Sequence, residues 1–227
     1  MYLSAIRILI WSCAVCYMLQ SIYFPGFDLS YGLSYIGNQN FYVIQLVSHS
    51  FLHGDPFHLL INMFMLVLFG LKIEMVFGKI QFFTLYFLSV IGGATFQTIS
   101  NMIIIYNHFG NPFPLDSTTT IVGNTLFALE NGQYIKSVFS SITIGASGGI
   151  FGCMVAFTLL FPKERFQLIL LPLSVSSRWF VVVYLMIEIY HGFIVENQSV
   201  NIAHFAHLGG ATFGFIYAQF LKLKYNI

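Results

Sequence analysis

The chain has 227 residues, of which 57% are hydrophobic and only 7% charged, and its mean hydropathy is +0.80. Soluble domains carry roughly a quarter charged residues, so this composition excludes an ordinary soluble fold and indicates a membrane protein. A formal net charge of +1 supplies no basic footprint for nucleic acid, which excludes that class of partner.

Apolar runs predict a single all-α membrane domain over residues 1–227, with six transmembrane helices near 8–24, 57–71, 80–103, 147–161, 178–195 and 203–221. The first span is followed by Tyr23, Phe24 and Pro25 rather than a small-residue cleavage site, so it reads as a retained anchor. Cys13, Cys16 and Cys153 fall inside predicted spans, where small buried apolar residues are the ordinary reading. The Cys13/Cys16 pair has no further ligands that would make it a metal or redox motif. His49 and His53, spaced i,i+4 ahead of the second span, are likewise joined by no carboxylate or thiolate. They are assigned to packing, and no metal or cofactor is expected. On the second span His58 and Asn62 point the same way.

The longest interruption, 104–146, is polar at its centre. The uncharged run that follows could place Ser147 in the middle of one span, but its glycines argue against that. Gly145, Gly148 and Gly149 are poor interior residues and suit a turn leading into a helix. We therefore start the fourth helix at about Ser147 and leave 137–146 as a loop or re-entrant approach. The segment 164–177, broken by Pro172, is expected at the membrane interface or dipping into it. In the fifth span Glu188 reads as a structural or lateral-gate residue, and His108 and His191 as loop histidines. Residues 197–199 match a glycosylation sequon of a kind common by chance. In the sixth span His207, Gly210, Ala211 and Gly214 share one face.

Basic residues set the expected orientation. Arg7, Lys72, Lys79, Lys163, Arg165, Arg178, Lys222 and Lys224 fall at the termini or in even-numbered loops, and only Lys136 falls in an odd-numbered one, whereas Asp28, Asp55, Asp116, Glu130 and Glu196 fall in odd-numbered loops. By the positive-inside rule both termini are cytoplasmic. A depth comparison then follows from helical rise. Ser147, His207 and His58 lie ~24, ~22 and ~21 Å above the lysines that end their spans, within a core of ~30 Å. All three occupy one layer below the outer surface. Ser147 opens a helix, where unpaired N–H groups and the dipole favour a developing oxyanion. The pairs Gly148/Gly152 and Gly210/Gly214 would let the fourth and sixth spans approach closely enough for Ser147 and His207 to hydrogen-bond.

At these residues the chain resembles the rhomboid family of intramembrane serine proteases. The matching stretches are GASGG at 145–149, HLLIN at 58–62, GLKIEMVFG at 70–78 and AHLGGATFG at 206–214, preceded by QLVSHSFLHGDPFH at 45–58. The resemblance runs from about residue 40 to the C-terminus. It implies a compact six-helix bundle with an outward-facing, membrane-embedded loop between the first two spans, in a bacterial inner membrane. It also implies a dyad with no acidic third member, Ser147 as nucleophile and His207 as general base. His58 and Asn62 match residues that help the Ser147 N–H bind the oxyanion. Glu74 matches a carboxylate tying the first loop to helix ends, His53 a residue buried under that loop, and Phe151 an aromatic ring packed on the imidazole. Many relatives carry tyrosine at the Phe151 position. The Trp-Arg pair often seen in the first loop is Ile44-Gln45 here, which alters how that loop is anchored.

The function so implied is an endopeptidase that cuts single-span transmembrane proteins near their outer boundary, where helix-weakening residues let the substrate unwind. His204, three residues before His207, is the rival base, but the glycine face follows His207. Two other functions compete. One is a catalytically inactive relative that binds membrane substrates, against which stands the retention of both Ser147 and His207. The other is a small transporter, for which no broken-helix pair or inverted repeat appears. Metal-dependent proteolysis lacks its H-E-x-x-H motif.

Overall fold

A computed structural model describes residues 4–22, 26–113, 137–167, 174–193 and 203–227. The Pro172 kink, the sequon, Asp116, Glu130, Lys136 and Glu196 lie outside the described residues. Helix α1 (Ala5–Ile22) is followed by a short α2 (Phe27–Tyr31), a strand β1 (Leu33–Ser34), α3 (Gln45–Ser48) and a 3₁₀ turn (His49–Phe51). Then comes α4 (Pro56–Phe109), capped by the Asp55 carboxylate accepting from the His58 N–H, with proline in its first turn.

Helix α4 is two arms joined by a single residue. Gly78 has φ 83° and ψ 168°, a conformation open to glycine and outside the helical region. In a straight helix Gly70 and Phe82 would lie ~18 Å apart. Instead a methyl on Gly70 would sit 2.8 Å from the Phe82 ring, so the second arm folds back along the first. A loop expected between residues 71 and 80 is thus compressed into one glycine, and the second arm continues beyond residue 103 to Phe109.

Strand β2 (Ile142–Thr143) pairs antiparallel with β1, Leu33 opposite Thr143 and Ser34 opposite Ile142. The lead-in to α5 (Ser147–Leu160), expected as a loop or a re-entrant approach, thus carries a two-residue strand stitched to the first loop. Strands β3 (Arg165–Gln167) and β4 (Ser174–Ser176) form a second antiparallel ladder within the segment expected at the membrane interface or dipping into it. Helices α6 (Ser177–Phe193) and α7 (His204–Tyr225) complete the fold. His191 belongs to α6, and position 108 to α4, so neither lies in a loop.

The main core joins the long helices, and a smaller cluster of Tyr35, Ile105 and Val138 is separate from it. Leu9 of α1, Leu66, Phe69, Phe82 and Tyr86 of α4, Met154 and Phe157 of α5 and Leu221 of α7 are all buried in the main core. Large apolar side chains also face outward: Trp11, Met75, Ile80, Trp179 and Leu223 are each more than 65% exposed. Water would penalise such a surface, whereas lipid matches it. By length and hydropathy α1 and the 56–107 stretch of α4 can cross a bilayer, and α5 is a shorter apolar helix.

Candidate active site

Helix α5 begins at Ser147, and its first regular hydrogen bond runs from the Ile150 N–H to the Ala146 carbonyl. The N–H groups of Ser147, Gly148 and Gly149 precede that bond and have no carbonyl within the helix to pair with. Gly145 supplies the turn before it, with φ 123°. Its N–H donates to the His49 carbonyl at 2.9 Å, which pins the turn to the first loop.

His207 Nε2 lies 2.8 Å from Ser147 Oγ. Backbone contact between α5 and α7 makes this possible. A methyl on Gly210 would lie 1.9 Å from the Gly148 carbonyl oxygen, and one on Gly214 would lie 2.3 Å from the Gly152 backbone. Gly148 itself is less crowded, its nearest neighbour 3.5 Å away; its carbonyl is what Gly210 accommodates. Gly149, expected to shape the turn, instead faces Tyr86 of α4, where a methyl would come within 2.6 Å of the ring. Gly152 meets Ser89 of the same arm, so α5 is clamped on two sides.

The Phe151 ring stacks on the His207 imidazole, with centroids 4.3 Å apart and planes 10° from parallel. Tyr184 of α6 stacks on Phe151 at 5.2 Å, extending the pile to a third ring. His58 stands across from Ser147. A methyl on Gly145 would sit 3.1 Å from His58 Nε2 and 3.7 Å from Ser147 Oγ, so that glycine keeps the space between them open. The Gly54 N–H donates to His58 Nδ1 at 3.4 Å, which leaves the ring proton on Nε2, facing that space. Asn62 is buried and donates one amide N–H to the His58 carbonyl at 2.9 Å, so in this state it supports the helix and not Ser147.

Glu74 occupies a different place from the one expected. Its carboxylate accepts from Ser4 Oγ (2.9 Å), the Ala5 N–H (2.6 Å) and the Ile6 N–H (3.1 Å). It caps α1 rather than tying the first loop, because the unpaired donors at a helix start are the strongest local attraction for a carboxylate. The first loop is held by Gln45 instead. That side chain is fully buried, accepts from the Ser34 N–H, and donates to the carbonyls of Ser30 and Asn40. His53 is buried beneath the loop, its backbone exchanging bonds with the Gln20 side chain and its ring edge-on to His58 at 5.1 Å. Burial lowers the pKa of His49 and of His53 to about 4; for His53 repulsion from His58 adds to this. Among the described residues no group of three or more histidines, cysteines or carboxylates is arranged to hold a metal ion.

Glu188 was assigned a structural or gating role, yet its Oε2 lies 2.6 Å from His204 Nδ1 and 3.0 Å from His207 Nδ1. His204 is therefore engaged by α6 and not by Ser147. A sequence signal for this did exist. Tyr184, Glu188 and His191 fall on one face of α6 by i,i+4 and i,i+3 spacing, as do His204 and His207 on α7. What spacing could not supply was that these two faces meet.

Comparison with known proteins follows the same residues. Positions 40–224 match the family model of the Rhomboid domain. Over 179 residues the chain is 26% identical to "Rhomboid protein 1, mitochondrial" of Saccharomyces cerevisiae, covering 79% of this chain and 42% of that protein. Over 178 residues it is 25% identical to "RHOMBOID-like protein 1" of Arabidopsis thaliana, covering 77% of this chain and 33% of that protein. The chain thus spans less than half the length of either relative.

Proposed function

The chain belongs to the rhomboid family, a family of membrane proteins, and on that premise we propose that it is an intramembrane serine endopeptidase. The observation that carries the proposal is the 2.8 Å contact between His207 Nε2 and Ser147 Oγ at the start of a buried helix. His207 takes the Ser147 proton as Oγ attacks the scissile carbonyl, then returns it to the leaving amine. A water, activated by the same imidazole, releases the acyl-enzyme. The oxyanion forms beside the free N–H groups of α5, where their dipoles and the His58 Nε2–H meet it. Asn62 completes that set by turning its second N–H from its present position beside the His58 carbonyl.

Six crossings of the bilayer, with both termini on the cytoplasmic side of a bacterial inner membrane, are part of this proposal. The basic residues support the orientation, and the apolar outer faces of the helices support a lipid setting. One relative is named as mitochondrial, so the membrane of residence is to be fixed by localisation of the protein itself. Substrates in this reading are single-span proteins whose helix is weakened near the outer boundary, since a regular helix shields its peptide bonds from attack. The engaged Ser147–His207 pair favours catalysis over the inactive, substrate-binding alternative.

Reconstitution with a tagged single-span substrate tests this. Wild type should cleave it and react with a fluorophosphonate at Ser147, while Ser147→Ala and His207→Ala should do neither. Equal cleavage by wild type and Ser147→Ala would overturn the assignment.

A further inference from the structure

We propose that Glu188 is a positioning residue that makes the Ser147–His207 pair into a triad with its acid supplied from α6. The inference rests on the serine-protease reading above and adds a third member to it. Glu188 is buried, with 5% of its surface exposed, and no lysine or arginine pairs with it among the described ion pairs. Its Oε2 lies between two imidazole Nδ1 atoms, 2.6 Å from that of His204 and 3.0 Å from that of His207. An isolated carboxylate so buried would be costly, and the His204 ring N–H, hydrogen-bonded to it, offsets part of that cost.

The contact sits at the atom where it matters. His207 uses Nε2 toward Ser147, so its other nitrogen must carry the proton if Nε2 is to accept one. A carboxylate beside Nδ1 favours that tautomer, and it favours the imidazolium once Nε2 has taken the Ser147 proton. The proton travels only between Ser147 Oγ, His207 Nε2 and the leaving amine; Glu188 keeps its charge throughout. In the resting structure the 3.0 Å approach lies outside regular hydrogen-bond angles. Contacts of unliganded sites commonly align only as charge develops. The Phe151–Tyr184 stack holds α6 against the ring plane while leaving the imidazole free to turn within it.

Other groups facing this cluster bear on its titration. Tyr184 lies one turn before Glu188 on α6, His191 stacks on His204 at 5.5 Å, and His58 with Asp55 stands on the far side of His207. Of these, only His204 shares the carboxylate with His207 at contact distance. His204 reaches Glu188 through Nδ1, and its Nε2 is buried with no hydrogen-bond partner among the described residues, so it orients Glu188 and takes no part in the proton transfer.

The test compares Glu188→Gln, Glu188→Asp and His204→Gln with wild type and Ser147→Ala in the full chain, reconstituted in proteoliposomes. Measurements are kcat and KM for a tagged single-span substrate, the rate of fluorophosphonate labelling, and thermal unfolding. Glu188→Gln should lower kcat and the labelling rate by 10²-fold or more with KM within twofold, and should move the acidic limb of the pH profile down by about one unit. Glu188→Asp should restore a tenth or more of the rate. His204→Gln should reduce kcat less than tenfold. If Glu188→Gln keeps wild-type kcat, labelling rate and acidic limb, or changes KM alone, the inference falls while the dyad stands. If Glu188→Gln unfolds, the folded Glu188→Asp decides instead, and the inference falls if that variant keeps less than a tenth of the wild-type rate or loses the wild-type acidic limb. If wild type matches Ser147→Ala in both assays, the protease reading itself is lost, which is a separate outcome.

Discussion

Helices α5 and α6 both reach His207, yet they are built on opposite plans. Twelve of the fourteen residues of α5 are buried, against three of seventeen in α6, namely Ser177, Val181 and Glu188. Helix α5 meets α7 backbone to backbone through glycines; α6 meets the site through one ring stack and one carboxylate. The difference teaches where positional accuracy comes from. Two backbones in contact leave no side chain to change rotamer, so the Ser147–His207 distance is set by the helices themselves. The acid, carried on a helix whose surface is mostly exposed, adds charge to a geometry already fixed.

The comparison is broken most severely at Gly214. A Leu there puts a Cβ 2.3 Å from the Gly152 backbone, which cannot rotate away. Gly214→Leu should cut the fluorophosphonate labelling rate of Ser147 at least ~100-fold, since a misplacement near 1 Å has that effect on catalytic geometry. Overpacking of this kind costs about 1–3 kcal/mol of stability, read as a lower midpoint in detergent unfolding. Wild-type labelling by this variant would show that the glycine face does not set the register.

The first loop carries a pH dependence of its own, through two buried histidines. His49 and His53 have pKa values lowered to about 4 by burial, against an ordinary 6.5. Between those values the opened loop binds more protons than the closed one, so stability falls as pH drops from 6.5 toward 4. Each group contributes up to about 3 kcal/mol over that window. Hydrogen exchange of residues 45–55 should accelerate on acidification, and His53→Leu should flatten the slope. A slope unchanged in that variant would assign the effect elsewhere.

Next in size is Glu74, which caps α1 from α4. Glu74→Ala leaves the Ala5 and Ile6 N–H groups without their acceptor and should cost about 1–3 kcal/mol of stability, with kcat unchanged for the folded fraction. A drop in kcat at full stability would give Glu74 a part in the site that its contacts do not suggest. The smallest effect sharpens the contrast from the α6 side. Trp179, 69% exposed, should tolerate Ala within about 0.5 kcal/mol and without loss of activity, tested by the same unfolding and cleavage assays.

Much of this architecture is legible in the residues, for identifiable reasons. The proximity of Ser147 and His207 could be argued because two glycine pairs and a shared depth are properties of single helices. The stacking of Phe151 on His207 required the family resemblance, since nothing local says which ring a phenylalanine meets. The Glu74 cap was misread because its partners lie about seventy positions away at the start of α1. Glu188 was underread for the same reason: its face on α6 was visible, but the docking of that face on α7 is a tertiary fact. The β1–β2 ladder left no signal in strands only two residues long.

Gly78 carries one further consequence, which concerns insertions rather than substitutions. Each added residue turns a helix by about 100°. Within the first arm of α4, His58 and Asn62 are set in azimuth relative to Gly70 and to the Gly78 joint, where the backbone leaves the helical region for one residue only. An insertion between Asn62 and Gly70 would rotate both side chains by about 100° away from the direction they hold relative to Gly70 and the joint. The same insertion among residues 110–113, beyond the end of the second arm, turns no helix at all. Tolerance to length in this protein is therefore dictated by angular phase, and the arm that presents His58 has none to spare.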